Sequence, residues 1–317
     1  MRKFEAKQQI FDIGGVKVGG QPGQNPVVMC GSIFYGRHKI VKDASEGIFD
    51  EAAAKELLDK EKMLCDQFGL NRMPDVVGDT GTALTKYVKF VLEHTEGPML
   101  VDSASVKALI ETFTYFKGSD VMDRLVWSPI DQNTKPEEYE IIKNIGVKNA
   151  LMMIFSPQAV MPEQKLDLLL GKEWKKVLEE VGEGDGLLVK AHDAGIENLM
   201  ADVGVIDLQG TAWSGLAIQQ VKEKVGLPAG CAPANALFSW QRTHKDSLQS
   251  AKQTAAAGSS VYSSIVYSGG NFVLYGPMSC AEWAYPACAV ADALMSYGNR
   301  LNGIRPKDKN HPLFKLK

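Results

Sequence analysis

Short apolar runs alternate with longer stretches of helical period along most of the chain. Runs of strand-forming residues fall at 27–34, 75–77, 99–102, 125–128, 150–155, 199–205, 229–232 and 271–275. Several are continuous rather than alternating: Ala150-Leu151-Met152-Met153-Ile154-Phe155 has no polar member. A strand covered on both faces produces that pattern. Between the runs lie segments with helix start signals. Asp50 stands before Glu51-Ala52-Ala53-Ala54-Lys55 and can cap it. Thr80-Gly81-Thr82 opens a second helix and Ser103-Ala104-Ser105 a third. The span 165–181 carries apolar residues at helical spacing, and 281–301 reads as a long closing helix despite Pro286. Eight strands, each followed by a helical pattern, predict a (β/α)8 TIM barrel and not a Rossmann sheet, whose G-x-G-x-x-G fingerprint is missing.

The glycine-rich stretch from Gly14 to Gly23 precedes the first strand instead of following it. It reads as part of an N-terminal hairpin, about residues 1–26, that caps one end of the barrel, in preference to a phosphate cradle. Gly182-Glu183-Gly184-Asp185-Gly186 is acidic and reads as a loop. No Ser-, Gly- or Pro-rich linker divides the chain and no repeat stands out, so 1–317 is expected to form a single domain.

Composition narrows the picture by exclusion. The 35 basic and 38 acidic residues leave a net charge of −3, which gives no electrostatic footprint for nucleic acid. Neither a signal-peptide core nor an 18-residue apolar run is present, so the expectation is a cytoplasmic protein without membrane insertion. Five cysteines, odd in number and without a C-x-x-C pair, argue for buried thiols and against disulfides or a zinc ribbon.

In such a barrel the chemistry sits at the C-terminal ends of the strands. Strand two ends in Gly78-Asp79-Thr80, strand three in Val101-Asp102-Ser103 and strand four in Ser128-Pro129-Ile130-Asp131. Strand five ends in Ser156-Pro157-Gln158, strand six in Asp202-Val203-Gly204 followed by Asp207, and strand seven runs on to Asn235. His38, His94, His192, His244 and His311 all fall elsewhere, so a Ser–His–Asp mechanism lacks its base. No metal-ligand spacing is present, and no strand end carries a lysine for a Schiff base. Carboxylates without a metal suit a ring edge that displays N–H donors, such as the amino and N3–H groups of a pterin. Asp102 and Asp202 lie within apolar strands, where an unpartnered carboxylate is costly. Asp79 reads equally as a ligand or as the N-cap of the next helix.

A longer pattern gives these positions a family. Phe11-x-x-Gly14-Gly15-Val16-Lys17-x-Gly19-Gly20-Gln21-Pro22-Gly23-x-Asn25-Pro26, the block from Gly31 to Val41 and Gly47-Ile48-Phe49-Asp50 resemble the H subunit of tetrahydromethanopterin S-methyltransferase. So do Leu100-Val101-Asp102-Ser103, Asp123-Arg124, Gly226-Leu227-Pro228 and Phe272-Val273-Leu274-Tyr275-Gly276-Pro277. The family includes stand-alone bacterial relatives that methylate tetrahydrofolate from methylated corrinoid proteins. The resemblance implies a pterin-binding barrel in which Asp102 and Asp202 hold the pterin and Asn235 lies near its N5. Ser128 and Asp131 stand where relatives often carry Asn, Asp79 stands where methanogen members tend to have Glu, and Gly204 completes the strand-six end of the site.

The implied reaction moves a methyl group from a corrinoid, carried by a transient partner protein, to N5 of tetrahydrofolate, with no metal bound by this chain. The same transfer with tetrahydromethanopterin is the alternative, and a non-catalytic subunit that docks the corrinoid protein is another. A condensing enzyme of the dihydropteroate synthase kind would need cations for pyrophosphate, which the last strand end lacks. A homodimer is the expected assembly, and Arg37-His38-Lys39 is a candidate docking segment for the corrinoid partner.

Overall fold

The computed structural model describes residues 3–171, 186–243 and 250–317. Eight barrel strands run in parallel: β1 (Val28–Ile33), β2 (Asp75–Val77), β3 (Met99–Asp102), β4 (Leu125–Ile130), β5 (Asn149–Met153), β6 (Asn198–Asp202), β7 (Ala229–Cys231) and β8 (Phe272–Pro277). Each pairs with the next, and β8 returns to β1 through Phe272 opposite Val28, so the sheet closes as the alternating pattern predicts. A two-residue piece, Asn71–Arg72, pairs with the start of β1 and acts as a lower section of β2. The section breaks at Pro74, which has no N–H to donate, although its carbonyl still accepts from Leu100.

Two strands end differently from their apolar runs. The run 199–205 stops as a strand at Asp202, because the Asp202 carboxylate takes the Gly204 N–H at 2.7 Å and turns the chain. The run 150–155 stops at Met153, while β4 extends beyond 128 to Ile130. Asp50 and Thr80 cap the helices Glu51–Phe68 and Gly81–His94 through bonds from Ala53 and Ala83. The third helix starts later than Ser103, at Val106, with Ser105 as its cap. The helix expected over 165–181 begins early, at Pro162, and is described to Leu170. Residues 172–185, which hold the rest of that expectation and most of the acidic glycine loop, lie outside the described residues, as does His244. The closing helix spans Ala281–Asn299. Among the described residues no helix is long and apolar enough to cross a membrane.

The hairpin of Ile10–Ile13 and Val16–Gly19 turns at Gly14 and Gly15, both at positive φ (53° and 83°), the conformation a two-residue hairpin turn requires. Its Ile13 and Val18 are fully buried and cluster with Val28, Cys30, Met73, Leu100, Val126, Leu151, Met200, Phe272 and Leu274. Eight of the nine come from six of the barrel strands and Met73 from the link between the two sections of β2, and they form an apolar plug inside the barrel. The opposite faces of the strands, including Met29, Val101, Trp127, Ala150 and Leu199, pack against the helices in a second cluster.

Candidate active site at the barrel mouth

Side chains two apart on a strand share a face. Two residues beyond the plug members Cys30, Met73, Leu100, Val126 and Met200 stand Ser32, Asp75, Asp102, Ser128 and Asp202. The same period that builds the plug therefore builds a polar layer directly above it, toward the C-terminal mouth.

Each carboxylate of that layer has one partner and spare acceptor capacity. Asp102 accepts from the Ser128 hydroxyl at 2.8 Å, across the register that sets the two residues side by side. Asp75 accepts from the Ser32 hydroxyl at 2.6 Å, and its other oxygen is buried with no partner. Asp202 accepts from the Gly204 N–H. Only glycine serves at 204: φ is +63°, and a Cβ would sit 2.4 Å from that of Phe155.

Burial and mutual repulsion hold these groups toward the neutral form. Burial pushes Asp102 up to about 6, with the Ser128 hydroxyl pulling the other way. Burial likewise pushes Asp202 up to about 6, opposed by the Gly204 N–H and by Lys165, with the Asp102 charge adding to the rise. Asp75 is raised by burial, then by Asp102, with Ser32 offsetting part and Asp202 adding a little. A trio of carboxylates aimed into one mouth, short of donors, is suited to a ligand edge that brings N–H groups.

The remaining expected residues are arranged differently. Asn235 lies in the first turn of the helix Pro233–Thr243 with its side chain exposed at the rim beyond β7. Asp79 is exposed, and Thr80 performs the capping, so the N-cap reading of Asp79 does not hold. Asp131 folds its carboxylate into its own loop, accepting from the Asn133 N–H at 2.8 Å. It also lines a groove of about 410 Å³ with Ser103, Pro129 and Met153, beside the carboxylate layer. In the segment after β1, Arg37 and Lys39 are exposed. His38 instead turns inward, accepts from the Phe34 N–H at 3.2 Å and stacks on Tyr35, so it offers no docking surface. Among the described residues no three His, Cys, Asp or Glu side chains are grouped to hold a metal ion.

Sequence reasoning missed Asp75, Ser32 and Lys165. Asp75 opens its apolar run, a position that in an unbroken strand lies far from the mouth. The break at Pro74 makes that strand short, and the parity with Met73 was the available signal. Lys165 reaches the mouth from the helix Pro162–Leu170, although no strand end carries a lysine. Its signal was a lysine in the middle of the buried helical spacing of Pro162, Leu166, Leu169 and Leu170.

The family model described as the tetrahydromethanopterin S-methyltransferase MtrH subunit matches residues 6–307. Relatives matched over their full length include the H subunits of this methyltransferase from two methanogens. That of Methanothermobacter marburgensis is 33% identical and that of Methanococcus aeolicus 34% identical, each over all of both chains. Solved structures of similar fold are the Yersinia pestis dihydropteroate synthase with a pterine–sulfa conjugate and the Xanthomonas albilineans enzyme with 6-chloroguanine. The first has a TM-score of 0.57 at 11% identity, covering 92% of this chain and 100% of that one. The second has a TM-score of 0.57 at 13% identity, covering 91% and 98%. At such identities the likeness to these structures concerns the fold.

Proposed function

Because the chain belongs to the family of the tetrahydromethanopterin S-methyltransferase H subunit, we propose that it transfers a methyl group between a corrinoid-bound methyl and N5 of a tetrahydropterin. The observation that carries this reading is the inward layer of Asp75, Asp102 and Asp202 above an apolar plug. Asp102 and Asp202 accept hydrogen bonds from the N3–H and amino groups of the pterin, Ser128 orients Asp102, and the free oxygen of Asp75 extends the row of acceptors. Gly204 lets the chain turn against Phe155 at the end of β6 and gives its N–H to Asp202. Asp79 and Asp131 stand farther out, toward the tail of the pterin.

In the forward direction the N5 lone pair attacks the methyl carbon and the cobalt–carbon bond breaks, its electron pair staying on cobalt as Co(I). N5 releases its proton. The corrinoid supplies the cobalt chemistry, while the protein holds N5 in line with the methyl carbon, an orientation effect worth up to about 7–11 kcal/mol in favourable cases. Asn235 offers both a donor and an acceptor, so its amide can meet N5 with or without the proton.

Tetrahydromethanopterin is the acceptor that the relatives' names support. Tetrahydrofolate is the second reading. The corrinoid arrives on a separate, transiently bound protein, and the whole chain acts as one methyltransferase domain. We place a homodimer contact on the exposed row Val290, Leu294, Tyr297 and Leu301, spaced along one side of the closing helix and the turn after it. Light scattering of wild type and Leu294→Asp tests that contact: a monomeric wild type removes it.

The decisive experiment follows the absorbance of a methylcorrinoid with each pterin in turn. Methyl loss with tetrahydromethanopterin and not with tetrahydrofolate is the expected result. The reverse establishes the second reading, and pterin binding without methyl loss leaves a docking role alone.

A further inference from the structure

Lys165 is almost fully buried, and its Nζ reaches the Gly204 carbonyl at 3.4 Å and lies 5.7 Å from the centre of the Phe155 ring. Its neighbours on the inner side of its helix are Pro162, Leu166, Leu169 and Leu170, so a methionine or leucine would pack there without desolvating a charge. One long hydrogen bond does not account for a buried ammonium. What does account for it is the far side of Gly204. The Gly204 N–H is held by Asp202, and its carbonyl is held by Lys165 and by the Ser214 hydroxyl at 2.6 Å. The lysine and the aspartate thus grip the two polar ends of one glycine, at which a Cβ would strike Phe155.

We propose that Lys165 is a positioning residue of the mouth: by holding the Gly204 carbonyl while Asp202 holds the Gly204 N–H, it fixes that turn and sets a positive charge near the carboxylate that accepts pterin N–H groups. This rests on the pterin reading given above. The groups that face Asp202 from the surrounding elements are Asp102 on β3, Asp75 on β2, Cys30 on β1, Cys231 on β7 and Lys165. Four of the five oppose its ionisation or are neutral; the lysine favours it. Burial draws the Lys165 ammonium below its ordinary range, and the Cys231 and Asp202 side chains raise it in return. A charge brought in from a helix, and not from a strand end, offsets at Asp202 the repulsion of holding three carboxylates in one layer.

The test compares wild type, Lys165→Met and Lys165→Arg. In the ligand-free protein, NMR of selectively carbon-labelled aspartate follows the Asp202 carboxyl, identified by its loss in Asp202→Asn. In Lys165→Met the Asp202 midpoint should rise by about one pH unit, a tenfold gain in proton affinity, and Lys165→Arg should return it toward wild type. Pterin affinity in Lys165→Met should then stay near wild type at high pH and drop below it as pH falls through 7, approaching a roughly tenfold deficit near pH 5. An unmoved midpoint overturns the proposal, as does an affinity loss equal at every pH, which marks Lys165 as packing alone. Should Lys165→Met fail to fold, Lys165→Gln is titrated in its place. A shifted midpoint with no pterin binding by wild type at any pH sinks the pterin reading and leaves the control of Asp202 standing.

Discussion

The closed and open ends of the barrel each bury a lysine, and the surroundings of the two differ in kind. At the closed end Lys222 donates to the Gly20 carbonyl at 2.9 Å and to Asn271 Oδ1 at 2.6 Å, with the Phe4 ring 5.5 Å away. Neutral acceptors surround it, and burial pushes it down to about 7. It ties the N-terminal segment to β8 through Gly20 and Asn271, beneath the plug of Ile13 and Val18. At the open end Lys165 has one long bond and a carboxylate across the same glycine. The buried lysine of the closed end is met by neutral acceptors; at the open end the carboxylates outnumber their donors, and one Asp75 oxygen is buried without a partner. Unsatisfied buried polar groups cost stability unless a partner comes. The difference between the two lysines therefore separates a tie across the closed end from a charge set near carboxylates at the mouth.

Removing a plug residue should have the largest effect. Ile13→Ala leaves a cavity against Leu100, Val126 and Met200, and should cost about 2–5 kcal/mol of stability in a urea melt while pterin affinity well below the transition stays unchanged. A large affinity loss in this variant would mean that the two ends are not independent. At the open end the reverse holds. Asp102→Ala or Asp202→Ala should each weaken pterin binding by about 1.5–3 kcal/mol in titration calorimetry, with the fold intact. Unchanged affinity in both variants removes the carboxylate layer from the site.

The contrast between the ends was partly legible in the sequence. Continuous apolar runs gave the strands and their number because a parallel barrel buries both strand faces, and the rule of C-terminal mouths then pointed to Asp102, Ser128 and Asp202. What stayed hidden depends on depth. Asp75 and Asp79 are four residues apart, yet one is deep in the mouth and the other is exposed, because Pro74 divides the strand and Gly78 ends it. Asp131 looked like a ligand beside a strand end, but a carboxylate two residues before Asn133 is drawn into its own turn. Lys165 could not be placed from strand ends because a helix delivers it. His38 looked like part of a basic loop, and only the closed backbone around Phe34 turns it inward.

A third test asks what the open end costs. Asp202 titrates at about 6 in the fold, against about 3.9 in an unfolded chain, so the folded state binds the extra proton between those values. Its contribution to stability is full below about pH 4 and is lost as pH climbs through 6. Asp202→Asn keeps an acceptor for the Gly204 N–H and removes the charge. The variant should match wild type near pH 4 and exceed it by about 2 kcal/mol at pH 8, read from denaturation curves across pH. A constant gap at every pH would show that the carboxylate is not the source of the cost.

The smallest effect is expected at the rim. In the proposed reading the deep carboxylates meet parts of the pterin whose charge does not change in the reaction, so they would contribute to ground state and transition state alike. Asn235 is proposed to meet N5, the atom that gains a bond and loses a proton, and only a contact that strengthens in the transition state raises turnover. Its amide sits on a helix turn in solvent, where a single neutral hydrogen bond is modest. Asn235→Ala should therefore lower kcat by about tenfold, near 1.4 kcal/mol of barrier, and leave pterin affinity within about twofold. Single-turnover demethylation of a methylcorrinoid protein at saturating pterin measures it directly. An intact rate with a raised KM would place Asn235 with the binding residues and move the division between holding and reacting elsewhere on the rim.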